Sequence, residues 1–268
     1  MGLSALRVDL LLSFNTSRLN VLVALLICAA LVFYFIRQGK KRKGLFLRPI
    51  SGLSAIEEAV GRATEMGRAV LYTTGLGKME RVATLASMNI LGNLARKVAS
   101  YGTPLIIPCY DPVVMAVAQE VVRESFAKEG KPDAYREENI YFVTQSQFGY
   151  AAAVDGIMTR EKPAANLFLG TFEAESLILA ETGNSIGAIQ IAGTDSTIQL
   201  AFFIVACDYT LIGEELFAAS GYLSRDPLVT GSIKAQDWLK VVIVILIVLG
   251  VVFSTLNLDF LSELLSVK

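Results

Sequence analysis

The residues that could do chemistry in this chain gather at the ends of its short apolar runs. Gly75-Leu76-Gly77-Lys78 closes the first run, and glycines at that spacing let backbone N–H groups approach an anion at a helix start. The dinucleotide fingerprint is incomplete, because Glu80 stands where a third glycine is expected, and Walker spacing is absent. Later runs end in Tyr110 and Asp111, Gln145 and Gln147, Thr171 and Glu173, Thr194-Asp195-Ser196, and Glu214-Glu215. In open parallel sheets, ligands bind beyond the carboxyl ends of the strands. The first suspects for holding a small ligand are therefore Gly75, Gly77, Lys78, Asp111, Thr194 and Asp195. A plainer reading competes and carries more weight. Helix capping alone accounts for Asp111, Thr144, Gln147, Thr194 and Glu214, and a left-handed turn accounts for the glycines. No cofactor is required.

Composition removes several chemistries. The 268 residues contain no histidine, which excludes Ser-His-Asp and Cys-His nucleophiles, histidine metal ligands and a histidine pH switch. Cys28, Cys109 and Cys207 lie far apart and read as small buried thiols. Asp111, Glu173, Asp195, Glu214 and Glu215 could offer oxygens to a hard cation, but their spacing is not diagnostic and no metal site is assigned. Glu173 and Glu175, two apart on one expected helix, point in different directions. A net charge of −1 lacks the basic excess that nucleic-acid phosphates demand, so nucleic acid is not an expected partner. No catalytic constellation emerges, and the chain leans away from an enzyme.

Six alternations of strand and helix must position these residues. The β-prone runs are 69–74, 104–108, 140–143, 166–170, 188–192 and 209–212. A helix over 54–65 is expected to open on the capping box Ser54-Ala55-Ile56-Glu57. Others are expected over 79–100, closed by Gly102, and over 112–129, opened by Asp111-Pro112. The rest run from a box-like cap at Thr144-Gln145-Ser146-Gln147 to 160, over 172–181, over 198–206, and from Gly213-Glu214-Glu215 to 223. Short apolar strands alternating with helices imply an α/β fold: a doubly wound, mainly parallel six-stranded sheet with helices on both faces. Six units are too few for an eight-fold barrel.

The apolar excess, 53% of residues, concentrates near the two ends. Residues 19–36 and 239–256 are each uncharged or nearly so and long enough, at about 1.5 Å per residue, to cross the hydrocarbon layer. Arg37, Lys40, Lys41, Arg42, Lys43 and Arg48 follow the first, while Arg225, Lys234, Trp238 and Lys240 precede or open the second. Basic inner flanks put the central domain in the cytoplasm and both termini outside, in the plasma (inner) membrane. A cleaved signal peptide fits poorly, since the charge follows the apolar run. Leu6 spoils a myristoylation signal. Residues 186–212 tempt a third span, but Thr194, Asp195 and Ser196 interrupt them. Two spans alone carry no buried ionisable group suited to transport.

The expected organisation is an extracytoplasmic segment 1–18, a transmembrane helix 19–36 and a basic linker 37–50. A cytoplasmic domain 51–237, a second transmembrane helix 238–256 and an amphipathic extracytoplasmic tail 257–268 complete it. The segments AIEEAVGRATEMGRAVLYTTGLG, TPLIIPCYDPVVMAVAQEVVRE, YAAAVDGIM and GAIQIAGTDSTIQL resemble an uncharacterised prokaryotic family of membrane proteins defined by a domain of unknown function. That resemblance covers most of 45–240 and brings no activity with it. Two functions are compatible with the whole. The first is a membrane-anchored assembly protein whose domain, held against the bilayer at both ends, binds further copies of itself or a membrane-complex partner. The alternative is a tethered domain that binds or transforms a small ligand, a nucleotide or metal, at the strand-end rim.

Overall fold

The computed structural model describes residues 18–41, 51–224 and 227–256. In chain order the elements are α1 (Leu19–Lys41), α2 (Ser51–Glu65), β1 (Val70–Gly75), α3 (Val82–Tyr101), β2 (Leu105–Cys109) and α4 (Pro112–Lys128). Then come β3 (Ile140–Phe142), α5 (Gln147–Glu161), β4 (Ala165–Thr171), α6 (Glu175–Ser185), β5 (Ile189–Thr194), α7 (Thr197–Ala206), β6 (Tyr209–Ile212), α8 (Glu215–Ser224) and α9 (Pro227–Thr255). They form two compact units, α1 with α9, and everything between. Apart from Arg18, the expected end segments 1–18 and 257–268 lie outside the described residues, as do Arg42, Lys43, Arg48 and Arg225.

The central unit is a six-stranded parallel sheet in the order β3-β2-β1-β4-β5-β6. Side chains alternate between its faces with the two-residue period of a strand. Val70 and Tyr72 of β1, with Leu167 and Leu169 of β4, join a core under α2, α3, α4 and α8. Leu71 and Phe168, from the same strands, join a second core under α5, α6 and α7. Both faces are covered, so the sheet is doubly wound. On the second face Phe203 of α7 stacks on Phe168 at 6.0 Å and meets Phe172 edge-on at 5.2 Å. Phe203 is fully buried and is the anchor of a helix whose other large apolar side chains mostly face outward.

Several element boundaries differ from expectation, each for a local reason. α2 starts at Ser51, so Ser54 falls inside it, and Glu57 pairs with Lys97 at 3.0 Å on the surface instead of closing a capping box. Ser146, not Thr144, is the N-cap of α5, and the Thr144 hydroxyl accepts from the Ser146 N–H at 3.2 Å in a tight turn. α6 begins at Glu175, because the buried Glu175 carboxylate accepts from the Glu173 N–H at 3.0 Å and from Gln147 Nε2 at 2.9 Å. Glu173 therefore lies in the turn and not on the helix. Residues 186–212 hold β5, the ten-residue α7 and β6, which removes the third span. Gly102 (φ 72°) ends α3 and Asp111 caps α4 as the sequence indicates.

The other unit is a pair of helices, each long and apolar enough to cross a membrane. α1 continues to Lys41, past the apolar stretch, because Arg37 and Lys40 suit the negative end of the helix dipole. α9 begins at Pro227, well before position 238, and Thr230, Gly231 and Ala235 of this extension are buried. Gly231 packs against the backbone of Ile36, where a Cβ would lie 2.8 Å from Ile36 Cα. Small residues four apart allow such close approach. Beside them Phe35 stacks on Trp238 at 6.3 Å. Most large apolar side chains of both helices are exposed, and no residue of the apolar window of α9 is buried.

Two outcomes are expected. Phe203→Ala removes the anchor of α7 and costs about 3–5 kcal/mol of stability, read by denaturant unfolding of the full chain in mild detergent. Burial, with Asp111 adding, pushes the Cys109 thiol up to about 12, and burial with Asp208 does the same for Cys207. Burial also raises the phenols of Tyr72 and Tyr150. These groups stay neutral in the folded chain and ionise more readily in the unfolded one. Their contribution is complete below the ordinary thiol value of 9.0 and is lost as the pH climbs toward about 12. The unfolding midpoint should hold steady up to pH 9 and fall beyond it.

Candidate functional site

The strand order reverses between β1 and β4. β1 leads on to β2 and β3 on one side, and β4 to β5 and β6 on the other. The connections leaving β1 and β4 therefore part to opposite faces, and a crevice opens between them at the carboxyl edge. Here it is a cleft of ≈ 500 Å³ lined by Leu76, Gly77, Lys78, Glu80, Arg81, Thr171 and Glu173. A smaller hollow of ≈ 190 Å³, walled by Val122, Phe126, Tyr135 and Ile140, lies at the amino end of β2, away from the switch point.

Backbone geometry shapes the cleft first. The β1–β4 pairing runs regularly from Val70↔Ala165 to Thr73↔Phe168, then shifts, so that Gly75 faces Thr171. β4 carries one extra residue there, a bulge that splays the two strand ends. Gly75 (φ 68°) turns the chain out of β1, and the Leu76 N–H donates to the Thr171 carbonyl at 2.8 Å. A Cβ at Gly75 would collide with that same carbonyl. Gly77 is needed for a different reason. A Cβ on it would collide with Thr84 Oγ1 and stand 3.0 Å from Thr171 Oγ1.

The turn after Gly77 is longer than the sequence implied. The Arg81 N–H donates to the Lys78 carbonyl at 3.0 Å, so Met79 and Glu80 belong to a turn and α3 starts at Val82 instead of 79. Arg81 is the N-cap, with extended backbone (φ −78°, ψ 130°) and no side-chain capping bond. Lys78, Glu80 and Arg81 are exposed, two cations and one carboxylate, with Glu173 as the second carboxylate. Around this opening, the buried hydroxyl oxygens of Thr74, Thr84 and Thr171 have no hydrogen-bond partner.

The six suspected residues separate into two groups. Gly77 and Lys78 line the cleft, and Gly75 makes the turn that precedes it. Asp111 is engaged in capping α4, where its Oδ1 accepts from the N–H groups of Val113 (2.9 Å) and Val114 (3.1 Å). Thr194 ends β5 with its hydroxyl accepting from the Ser196 N–H at 3.2 Å, and Asp195 follows it in the turn to α7. None of these last three lines the cleft. Arg81, which lines the cleft, escapes a sequence reading because it falls inside the expected helix 79–100. No local signal marks residue 82 as the helix start, since its N-cap is Arg81, whose side chain makes no capping bond. The five carboxylates considered for a cation do not converge. Asp111 caps α4, Glu215 accepts from the Ile212 N–H at 3.1 Å, and no three acidic or cysteine side chains gather among the described residues.

A family model, the domain of unknown function DUF6754, matches residues 11–265, which takes in both apolar helices and the whole α/β unit. The chain belongs to that family. The match extends beyond the 45–240 over which the resemblance was drawn. No curated protein and no solved structure matches the chain.

Substitutions separate capping from cleft. Asp111→Ala should cost about 1 kcal/mol, the usual worth of an N-cap, without altering the cleft. Gly77→Ala should cost on the order of 1–3 kcal/mol, because Thr84 and Thr171 must give way. Denaturant midpoints of the full chain check both.

Proposed function

We propose that this protein is a membrane-anchored ligand-binding domain whose site is the cleft between β1 and β4. The observation that supports this reading is the coincidence of three things at the topological switch point: the cleft, the glycine turn, and hydroxyls left without partners. Ligands of doubly wound sheets bind at that position. The reading promotes the second of the two functions compatible with the sequence, and binding rather than catalysis is the role assigned. Gly75, Gly77 and Lys78 belong to the site, joined by Arg81, Thr171 and Glu173, with Thr84 buried behind Gly77. Asp111, Thr194 and Asp195 serve as caps and turn residues.

In this reading α1 and α9 are two membrane crossings in contact with lipid. The basic residues Arg37, Lys40, Lys41, Lys234 and Lys240 on the inner flanks favour a cytoplasmic domain, extracytoplasmic termini and the plasma membrane. Protease added to intact cells should leave the α/β unit whole, and protease added to inverted vesicles should cut it. The opposite pattern would reverse the orientation.

A second reading, assembly with another copy of the chain, has one observation in its favour. Ile198 (72% exposed), Ile204 and Val205 (88% exposed) of α7 stand with Tyr209 and Ile212 of the edge strand β6 as an outward apolar strip. Open strand edges with apolar neighbours favour pairing. Native mass measurement in mild detergent tests it, and a strict monomer would end it. The ligand reading is tested by thermal unfolding of the full chain with small molecules grouped by class. A ligand at about a hundred times its Kd adds roughly 2.7 kcal/mol to stability. If no class raises the midpoint, the cleft is not a binding site.

A further inference from the structure

We propose that the outward face of α6 and α7 docks a basic amphipathic helix of a partner protein. This goes beyond the ligand-binding reading and does not depend on the cleft. α7 buries Leu200 and Phe203, yet Ile198, Ala201, Phe202 and Val205 stand exposed at the i, i+3, i+4, i+7 spacing of a helix stripe. An apolar stripe at that spacing ordinarily faces a core. α6 lies alongside, and its Ser176 hydroxyl donates to Gln199 Oε1 of α7 at 2.7 Å. It turns out a stripe of its own, Leu177 and Ile178 with Glu181 one turn on. Two neighbouring helices thus present apolar side chains outward together, and contiguous exposed apolar surface marks a contact site.

Charge decides what covers this face. Residues 163–224, which supply β4 through α8, carry Asp and Glu but no Lys or Arg, in a chain whose 24 cations nearly balance its 25 carboxylates. Glu181 on α6 is exposed, and so are Asp195 and Asp208, which flank α7 at its two ends. The complementary surface is apolar along its centre and edged by lysine or arginine. A basic amphipathic helix laid on the helix pair has that form. The same charges count against the other occupants. An anionic bilayer would repel the acidic rim. A second copy, meeting this one face to face, would set Glu181, Asp195 and Asp208 against their like.

The test is fluorescence anisotropy of a labelled synthetic peptide of about 15 residues, leucine on one face and lysine on both flanks, titrated with the full chain in nonionic micelles. The peptide should bind the parent, and added salt should weaken it. Val205→Lys and Ile198→Lys, at positions 88% and 72% exposed, should fold as the parent does and each weaken binding about tenfold. Glu181→Gln should weaken it about threefold. Val113→Ser, exposed on α4 across the sheet, should bind as the parent does. Uptake of peptide by the micelles is common to every variant, so the ratios carry the result. The proposal falls if the lysine peptide does not bind, if a glutamate-flanked peptide binds as tightly, or if Val205→Lys and Ile198→Lys leave the affinity unchanged. A dimer by native mass measurement that Val205→Lys dissolves would assign the face to a second copy and overturn the proposal. In lipid nanodiscs, Val205→Cys should react with a water-soluble maleimide as fast as Val113→Cys does. Protection of Val205→Cys there would assign the face to the bilayer, which also overturns it.

Discussion

A parallel sheet cannot leave a face bare, because its strands are apolar on both sides and its connections must cross over one face or the other. Crossovers between parallel strands are right-handed, so a chain that adds strands in one direction lays its helices on one face only. Covering the second face requires the order to reverse, and in this protein the reversal falls between β1 and β4. Much of the rest follows. α3 and α4 cover one face, α5, α6 and α7 the other, and the chain leaves β1 and β4 in opposite senses. The cleft is the gap that this divergence opens.

What fills the edge of that gap is mostly backbone. Two glycines let β1 turn and let the turn press against Thr84 and Thr171 with no side chain between. The polar residues elsewhere along the carboxyl edge are engaged locally: Asp111 on α4, Glu175 on its own turn and on Gln147, Thr194 on Ser196. The hydroxyls of Thr73, Thr74, Thr84 and Thr171 are the exception, and they lie on the ends of β1 and β4 and on the first turn of α3. A fold that satisfies its caps along most of one rim but leaves hydroxyls unmatched at a single place marks that place as different.

The apolar helices obey another constraint. α3 and α4 each bury one stripe and expose another, as helices on a sheet must. The apolar stretches of α1 and α9 have no polar face, and the two helices pack on each other, with Phe35 and Ile36 against Gly231 and Trp238. Ten-residue α7 is as apolar as either but far too short to span a bilayer, and it leaves Ile198, Ile204 and Val205 exposed.

The sequence by itself determined the elements and their type. Six apolar runs alternating with helical patterns define a two-sided parallel sheet because burial on both faces leaves no room for polar alternation, and the two long uncharged runs stand apart on length alone. Asp111-Pro112 and Gly102 marked helix ends because their side-chain and backbone chemistry is local. Strand order, and with it the cleft, was decided only by tertiary structure, since no local signal records which strands become neighbours. The same holds for the start of α3. Arg81 reached the cleft because the β1–β4 bulge and the turn at 78–81 delayed the helix by three positions, and the Thr84 hydroxyl came to lie behind Gly77. Glu175 buried its charge for a similar reason: Gln147, its partner, comes from another helix, 28 residues away in the chain. Capping and periodicity act over a few residues and can be read along the chain, whereas a site assembled from the ends of β1 and β4 exists only once the sheet has closed its order.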